Sequence, residues 1–216
     1  PGFLRQLDGY TPPGGIYLHI AAFDLARTPD GQWRVISQRT QAPSGLGYLL
    51  ENRLIVSRLF PQAFRHMPVQ HLASSYRQLL NTIHRLSPFG RRGDGTPRVV
   101  LLTPGSHNET YFEHTYLARY LGIPLVNGND LTVRGNEVFL KTLRGLEPVQ
   151  AILRRLDDDF CDPLELRPDS TLGVPGLLQA VRAGKVLMAN ALGSSFLESP
   201  GLHAFLPAIC QHLTGQ

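Results

Sequence analysis

The apolar positions change period along the chain, and each change marks a different kind of element. From Ile16 to Arg27, β-branched, aromatic and small apolar residues predominate, followed by Thr28-Pro29-Asp30-Gly31 and then Gln32-Trp33-Arg34-Val35-Ile36-Ser37. Proline at the second turn position and glycine at the fourth suit a type I turn, so an antiparallel hairpin is predicted. Gln41-Ala42-Pro43-Ser44-Gly45 breaks the second strand, and Ser44 is placed to cap a helix over 47–59. Between His71 and Leu86, the residues Leu72, Tyr76, Leu79, Leu80, Ile83 and Leu86 recur at helical spacing, which predicts an amphipathic helix with one core face. The Gly/Pro-rich stretch from Ser87 to Pro97 ends that helix and reads as a linker.

A second unit begins at Arg98. Val99-Val100-Leu101-Leu102 is a continuous apolar run, as expected of a strand buried on both faces, and Thr103-Pro104-Gly105 leads from it into a helix over 108–121. Residues 123–126 supply the next strand, and the order strand, helix, strand indicates a parallel sheet. A hairpin is predicted over 130–142 around Gly135-Asn136, then a strand at 151–156, a helix at 174–183, a strand at 185–189 and a terminal helix at 202–213. The fold class expected is α/β, a Rossmann-like parallel sheet preceded by a β-hairpin and helix.

Composition narrows the partners. The net charge of +4 favours anionic ligands, yet the 21 Lys and Arg residues are scattered and form no stripe suited to tracking a phosphate backbone, so nucleic acid is not expected. The pair Arg91-Arg92 among Gly90, Gly93 and Gly95 reads as a solvated loop. Cys161 and Cys210 lack CxxC spacing and are too few to staple the fold, which favours reduced thiols in a cytoplasmic protein. No apolar run approaches the roughly 18 residues of a bilayer span, so no membrane partner is expected. Pro1 opens a turn-rich stretch, as expected of a piece of something longer.

Candidate chemistry gathers at loops that follow strands, where open α/β sheets bind ligands. Thr103-Pro104-Gly105-Ser106-His107-Asn108-Glu109 lacks the GxGxxG fingerprint, which disfavours a nicotinamide dehydrogenase. Asn108, Glu109 and His114 are candidates for contact with a polar substrate; otherwise Asn108 caps the helix, Glu109 complements its dipole and His114 packs at the surface. In Arg154-Arg155-Leu156-Asp157-Asp158-Asp159-Phe160-Cys161-Asp162, the arginines suit a carboxylate, while Asp157, Asp158 and Asp159 suit a hard cation or an amine. The alternative is an acidic loop that pairs internally with Arg154 and Arg155. Asn190-Ala191-Leu192-Gly193-Ser194-Ser195 offers backbone N–H groups to an anion, or is simply a turn.

Phe23-Asp24-Leu25, Asp30-Gly31-Gln32-Trp33, Gln41-Ala42-Pro43-Ser44-Gly45, Leu50-Glu51-Asn52-Arg53 and Tyr111-Phe112-Glu113-His114 carry a resemblance that continues through the rest of the chain. Arg154-Arg155 through Asp162-Pro163-Leu164, Leu172-Gly173-Val174-Pro175-Gly176 and Asn190-Ala191 extend it. In this order they resemble the circularly permuted ATP-grasp family, similar to glutathionylspermidine synthetase. The resemblance implies a partial ATP-grasp module over 1–60, a helix and linker over 61–96 and a Rossmann-like pre-ATP-grasp domain over 97–216. It implies an ATP-dependent carboxylate–amine ligase, with ATP and Mg²⁺ as cofactors and the remaining segments of a parent chain as partner. The family's adenine-gripping strands are expected outside these residues, so the isolated chain is expected to be inactive and to bind ATP weakly or not at all. Asp24 falls on a family metal-ligand position, whereas the Glu-x-Asn pair falls on Ser37 and Arg39. Arg39 can contact a phosphate but cannot coordinate a metal. A non-catalytic descendant that binds or scaffolds is the alternative.

Overall fold

The computed structural model describes residues 2–93 and 95–215, with only the backbone of Arg91 and Arg92. The predicted hairpin forms, with β1 (Ala22–Arg27) antiparallel to β2 (Trp33–Arg39). Gly31 donates to Thr28 O at 2.9 Å, closing the turn, and its φ of 83° is one that glycine alone adopts readily. A bulge between Asp24 and Leu25 interrupts the register. Because the bulge shifts the pairing, Phe23, Leu25, Trp33 and Val35, all exposed, share one face, and Asp24, Ser37 and Arg39 share the other. The strand predicted from Ile16 is shorter, because Ile20 and its neighbours bond to a side chain instead of to β2.

Helices α1 (Leu46–Leu59), α2 (Pro61–His66) and α3 (Leu72–Leu86) follow. The predicted linker contains a helical turn, α4 (Pro88–Arg92), which Ser87 Oγ caps by accepting from Gly90 N at 3.1 Å. The expectation of a solvated loop at Arg91-Arg92 is thus corrected for the backbone, while their side chains and Asp94 lie outside the described residues.

The second unit is a four-stranded sheet built from β3 (Val99–Leu102), β4 (Leu125–Val126), and two later strands. Between β3 and β4 runs α5 (Tyr111–Leu121). A meander follows, β5 (Leu131–Arg134), β6 (Glu137–Thr142) and β7 (Gly145–Val149); its first turn has Gly135 and Asn136 at φ 57° and 66°, a left-handed pair suited to a two-residue hairpin. Then come β8 (Ala151–Arg154), α6 (Leu177–Arg182) and β9 (Leu187–Ala189), and the chain ends in α7 (Pro200–His203) and α8 (Leu206–Thr214). The sheet order is β4-β3-β8-β9, every pair parallel.

Strand alternation splits the core into two layers. Val99, Leu101, Ala151, Leu153 and Leu187 face α1, α3 and α5 through Leu50, Tyr76, Ile83 and Leu117. Val100, Leu102, Ile152 and Met188 face α6 and the meander through Leu177, Leu178, Val138 and Val149. Both faces are covered, which explains why these strands read as unbroken apolar runs. Because all four strands run the same way, Leu102, Val126, Arg154 and Ala189 end at one edge.

The loop that leaves this edge is packed backbone against backbone. A Cβ on Gly173 would lie 2.2 Å from Phe160 O and 2.6 Å from Cys161 O, atoms that cannot swing aside. Gly173→Ala is expected to cost about 3 kcal/mol or more by overpacking, read as a lower urea midpoint at unchanged m-value.

Candidate functional site

The loops after β3, β8 and β9 meet at the common edge. Arg154, the last residue of β8, is 1% exposed. Its guanidinium donates to Leu156 O at 2.7 Å, to Asn190 O and Ala191 O at 3.3 Å and to Ser194 Oγ at 3.2 Å. It also pairs with Asp158 Oδ1 at 2.7 Å. Asp158 Oδ2 in turn accepts from Gly193 N at 3.1 Å and Ser195 N at 3.2 Å. Arg154, Asp158 and the 190–195 loop therefore serve one another: the N–H groups that could have received an anion already receive the Asp158 carboxylate. Burying such a pair is tolerable only because its remaining hydrogen-bonding groups are met.

Arg155 points into the other layer. One nitrogen, Nη1, donates to Pro43 O, whereas Nε and Nη2 are buried and find no hydrogen-bond partner among the described residues. Burial lowers its guanidinium to about 10, and the Glu113 carboxylate opposes that shift. Glu113, 1% exposed, has Oε1 accepting from Gly45 N at 2.7 Å and Gly47 N at 3.1 Å. It is Glu113 that caps α1, not Ser44, which is exposed: a carboxylate at a helix N-terminus meets both the orphan N–H groups and the dipole.

His114 is buried, not at the surface. Thr110 Oγ1 donates to Asn108 Oδ1 at 2.6 Å and so accepts from His114 Nε2 at 3.0 Å, which leaves Nδ1 to accept from Thr103 Oγ1 at 2.9 Å. Burial, and then the Arg155 cation, push this imidazole down to about 4. Asn108 Oδ1 also takes Thr110 N at 2.9 Å, fixing the loop ahead of α5 instead of capping the helix, which is why α5 begins later than predicted. Glu109, Asp157 and Asp159 are exposed. Asp159 lines a separate open cleft of about 490 Å³ with Arg5 and Arg167.

Asn190 spends its whole side chain on the fold. Its Oδ1 accepts from His19 N at 2.7 Å and Ile20 N at 3.0 Å, and its Nδ2 donates to Ile20 O at 2.7 Å and Thr40 O at 2.6 Å. Glu198 Oε1 accepts from Gln41 N at 2.6 Å and from Thr40 N, Asp158 N donates to Gln41 Oε1 at 2.7 Å, and Tyr76 OH donates to Leu46 O at 2.6 Å. Glu113, Glu198 and Gln41 thus organise the edge together with Tyr76, which helical spacing placed on a core face; no local spacing gives the other three these roles. Asp162 acts likewise on the far layer, capping α6 through Gly176 N at 3.1 Å and Leu178 N at 2.9 Å.

On the hairpin, Asp24 Oδ2 accepts from Ser37 Oγ and pairs with Arg39 Nη2 at 2.7 Å. A divalent cation here would have to displace a guanidinium and would find one carboxylate among its neighbours, which does not fit a metal centre. Among the described residues no group of three His, Cys, Asp or Glu side chains is placed to hold a metal. No helix among them is long and apolar enough to cross a membrane.

A parallel α/β layer joined through a clamped loop to an antiparallel hairpin is the architecture of a permuted ATP-grasp protein. The model of circularly permuted ATP-grasp type 2 proteins matches residues 1–216, and the chain belongs to that family. It is 42% identical over 211 residues to the uncharacterized protein sll0335 of Synechocystis, covering 98% of this chain and 43% of the relative. It is 39% identical to two Mycobacterium tuberculosis proteins, Rv2411c (97% of this chain, 38% of the relative) and Rv2567 (99% and 24%). The chain spans less than half the length of these relatives.

Two outcomes follow for stability. Arg154→Ala leaves Asp158 buried and unpaired and is expected to cost about 3–5 kcal/mol in chemical denaturation. His114 is neutral in the fold and titrates near 6.5 when unfolded, so the unfolded chain binds the extra proton first. Stability is full above pH 6.5 and is lost as pH falls towards 4, by roughly 3 kcal/mol in total. His114→Gln should flatten that part of the stability–pH curve; an unchanged slope would show that other groups cause it.

Proposed function

We propose that this chain is the ligand-holding part of an ATP-dependent carboxylate–amine ligase similar to glutathionylspermidine synthetase, and that it does not turn over alone. The observation that carries the reading is Arg155, which follows β8 at the edge where open α/β sheets take ligands and whose Nε and Nη2, buried beneath α1, lack a hydrogen-bond partner among the described residues. A guanidinium with two unpaired nitrogens suits a carboxylate. Asn108 and Glu109 lie in the loop ahead of α5 and His114 in the first turn of that helix. Arg154, Asp158 and Asn190 hold the edge in shape, and the exposed Asp157 offers charge to an amine, while Asp159 lies in the separate cleft with Arg5 and Arg167. In the reaction proposed, the carboxylate oxygen attacks the terminal phosphorus of ATP and ADP leaves; the amine nitrogen then attacks the acyl carbon, expelling phosphate and losing a proton. Phosphoryl chemistry is assigned to segments outside this chain, because Asp24 is tied to Arg39. Those segments would also cover the apolar hairpin face of Phe23, Leu25, Trp33 and Val35, since a two-stranded hairpin alone is marginal in water.

The same Asp24–Arg39 pair favours a second reading, a non-catalytic descendant that binds or scaffolds. ADP release by the longer protein across a panel of amines and carboxylates separates the two. The ligase reading expects release that needs both substrates and falls about 100-fold or more in Arg155→Ala, with Arg155→Lys only partly restoring it. No release with any pair would leave the second reading. Calorimetry of the 216-residue chain with magnesium-ATP is expected to give no micromolar binding; binding at that level would put the nucleotide site within this chain.

A further inference from the structure

Beneath α1, two buried side chains of opposite charge grip the same short segment. Arg155 Nη1 donates to Pro43 O, and Glu113 Oε1 accepts from Gly45 N and Gly47 N. Arg155 is 6% and Glu113 1% exposed. Each keeps atoms without a hydrogen-bond partner among the described residues, Nε and Nη2 on the arginine and Oε2 on the glutamate. Gly47 makes room for the glutamate, since a Cβ there would lie 2.7 Å from Glu113 Cγ and 3.2 Å from its carbonyl oxygen.

A guanidinium taken out of water needs a compensating charge close by. The groups around Arg155 leave one candidate. His114 is neutral at pH 7, its imidazole pushed down to about 4 by burial and by Arg155 itself. Tyr76 is neutral too, its hydroxyl pushed up to about 12, chiefly by burial, and donating to Leu46 O. Arg154 adds a like charge, and Asp158 is already paired with it. Glu113 is the anion that remains among these groups, and of them it does most to keep Arg155 in its charged form.

We propose that Glu113 is the counter-ion of Arg155, acting across the space beneath α1 without a direct hydrogen bond while its Oε1 caps that helix. Attraction between charges survives such a gap where water is excluded. One carboxylate then serves both the guanidinium and the start of α1. On the ligase reading, on which this consequence alone rests, Glu113 is a positioning residue that keeps Arg155 cationic for an incoming carboxylate.

A double-mutant cycle on the chain, followed by urea unfolding, separates a counter-ion from a cap. Glu113→Gln keeps an amide oxygen for the Gly45 and Gly47 N–H groups, and Arg155→Met removes the cation. A cap alone would make Glu113→Gln lower the folding equilibrium constant by the same factor in the parent chain and in the Arg155→Met background. The counter-ion role expects the loss to be at least about tenfold larger in the parent chain, because there the substitution strands a buried charge. Should Glu113→Gln alone fail to fold, adding Arg155→Met is expected to restore a cooperative transition. Equal losses in the two backgrounds, or no restoration by the second substitution, would overturn the proposal. No substrate enters the measurement, so its outcome is independent of the ADP-release assay.

Discussion

Between β2 and α1 the backbone polar groups of Thr40, Gln41, Pro43, Gly45, Leu46 and Gly47 are met by side chains from distant parts of the sequence. Asn190 and Glu198 come from beyond β9, Arg155 from the end of β8, Glu113 from α5 and Tyr76 from α3. A loop so short of local structure would otherwise leave its N–H and C=O groups to water. Here the protein interior supplies the partners, so hairpin, helix layer and parallel sheet share one frame. Groups that look like ligand contacts are consequently divided into those consumed by the frame and those left over. Arg154, Asp158 and Asn190 belong to the first kind, Arg155 and Glu113 only in part.

The two arginines show how one strand end produces both outcomes. Adjacent residues on a strand face opposite layers, so Arg154 enters the space between the loops after β8 and β9, and Arg155 enters the space beneath α1. The first space is rich in carbonyl oxygens and holds a carboxylate. The second offers one carbonyl, and Glu113 there spends only Oε1 on α1, its Oε2 being buried without a hydrogen-bond partner among the described residues. The placement of acceptors, not any difference in side chain, leaves one guanidinium saturated and the other not.

Much of the fold was legible because its strands are buried on both faces: Val99 to Leu102 and Ala151 to Arg154 admit no other reading once helices flank them. The hairpin was legible from its turn residues. β7 was missed because Pro148 and Glu147 obscure an edge strand, and the terminal helix was drawn as one because the break at Ala204-Phe205 carries no glycine. The edge loops were legible as a group, since parallel strands must end together. The roles within them were legible only in part: an acidic loop pairing with Arg154 was one of the alternatives, but Glu113 reaches Gly47 across 66 positions, and burial of Arg154 depends on carbonyls that no local pattern reveals.

The two ion pairs differ in what surrounds them. Asp24–Arg39 stands in solvent, with side chains about half exposed, while Arg154–Asp158 is sealed from it. Dissolved ions screen the first and scarcely reach the second, because the Debye length falls to about 3 Å at 1 M salt only where ions can enter. Ionic strength therefore acts on the molecule unevenly, relaxing the hairpin's polar face and freeing Asp24 while the sheet edge keeps its shape.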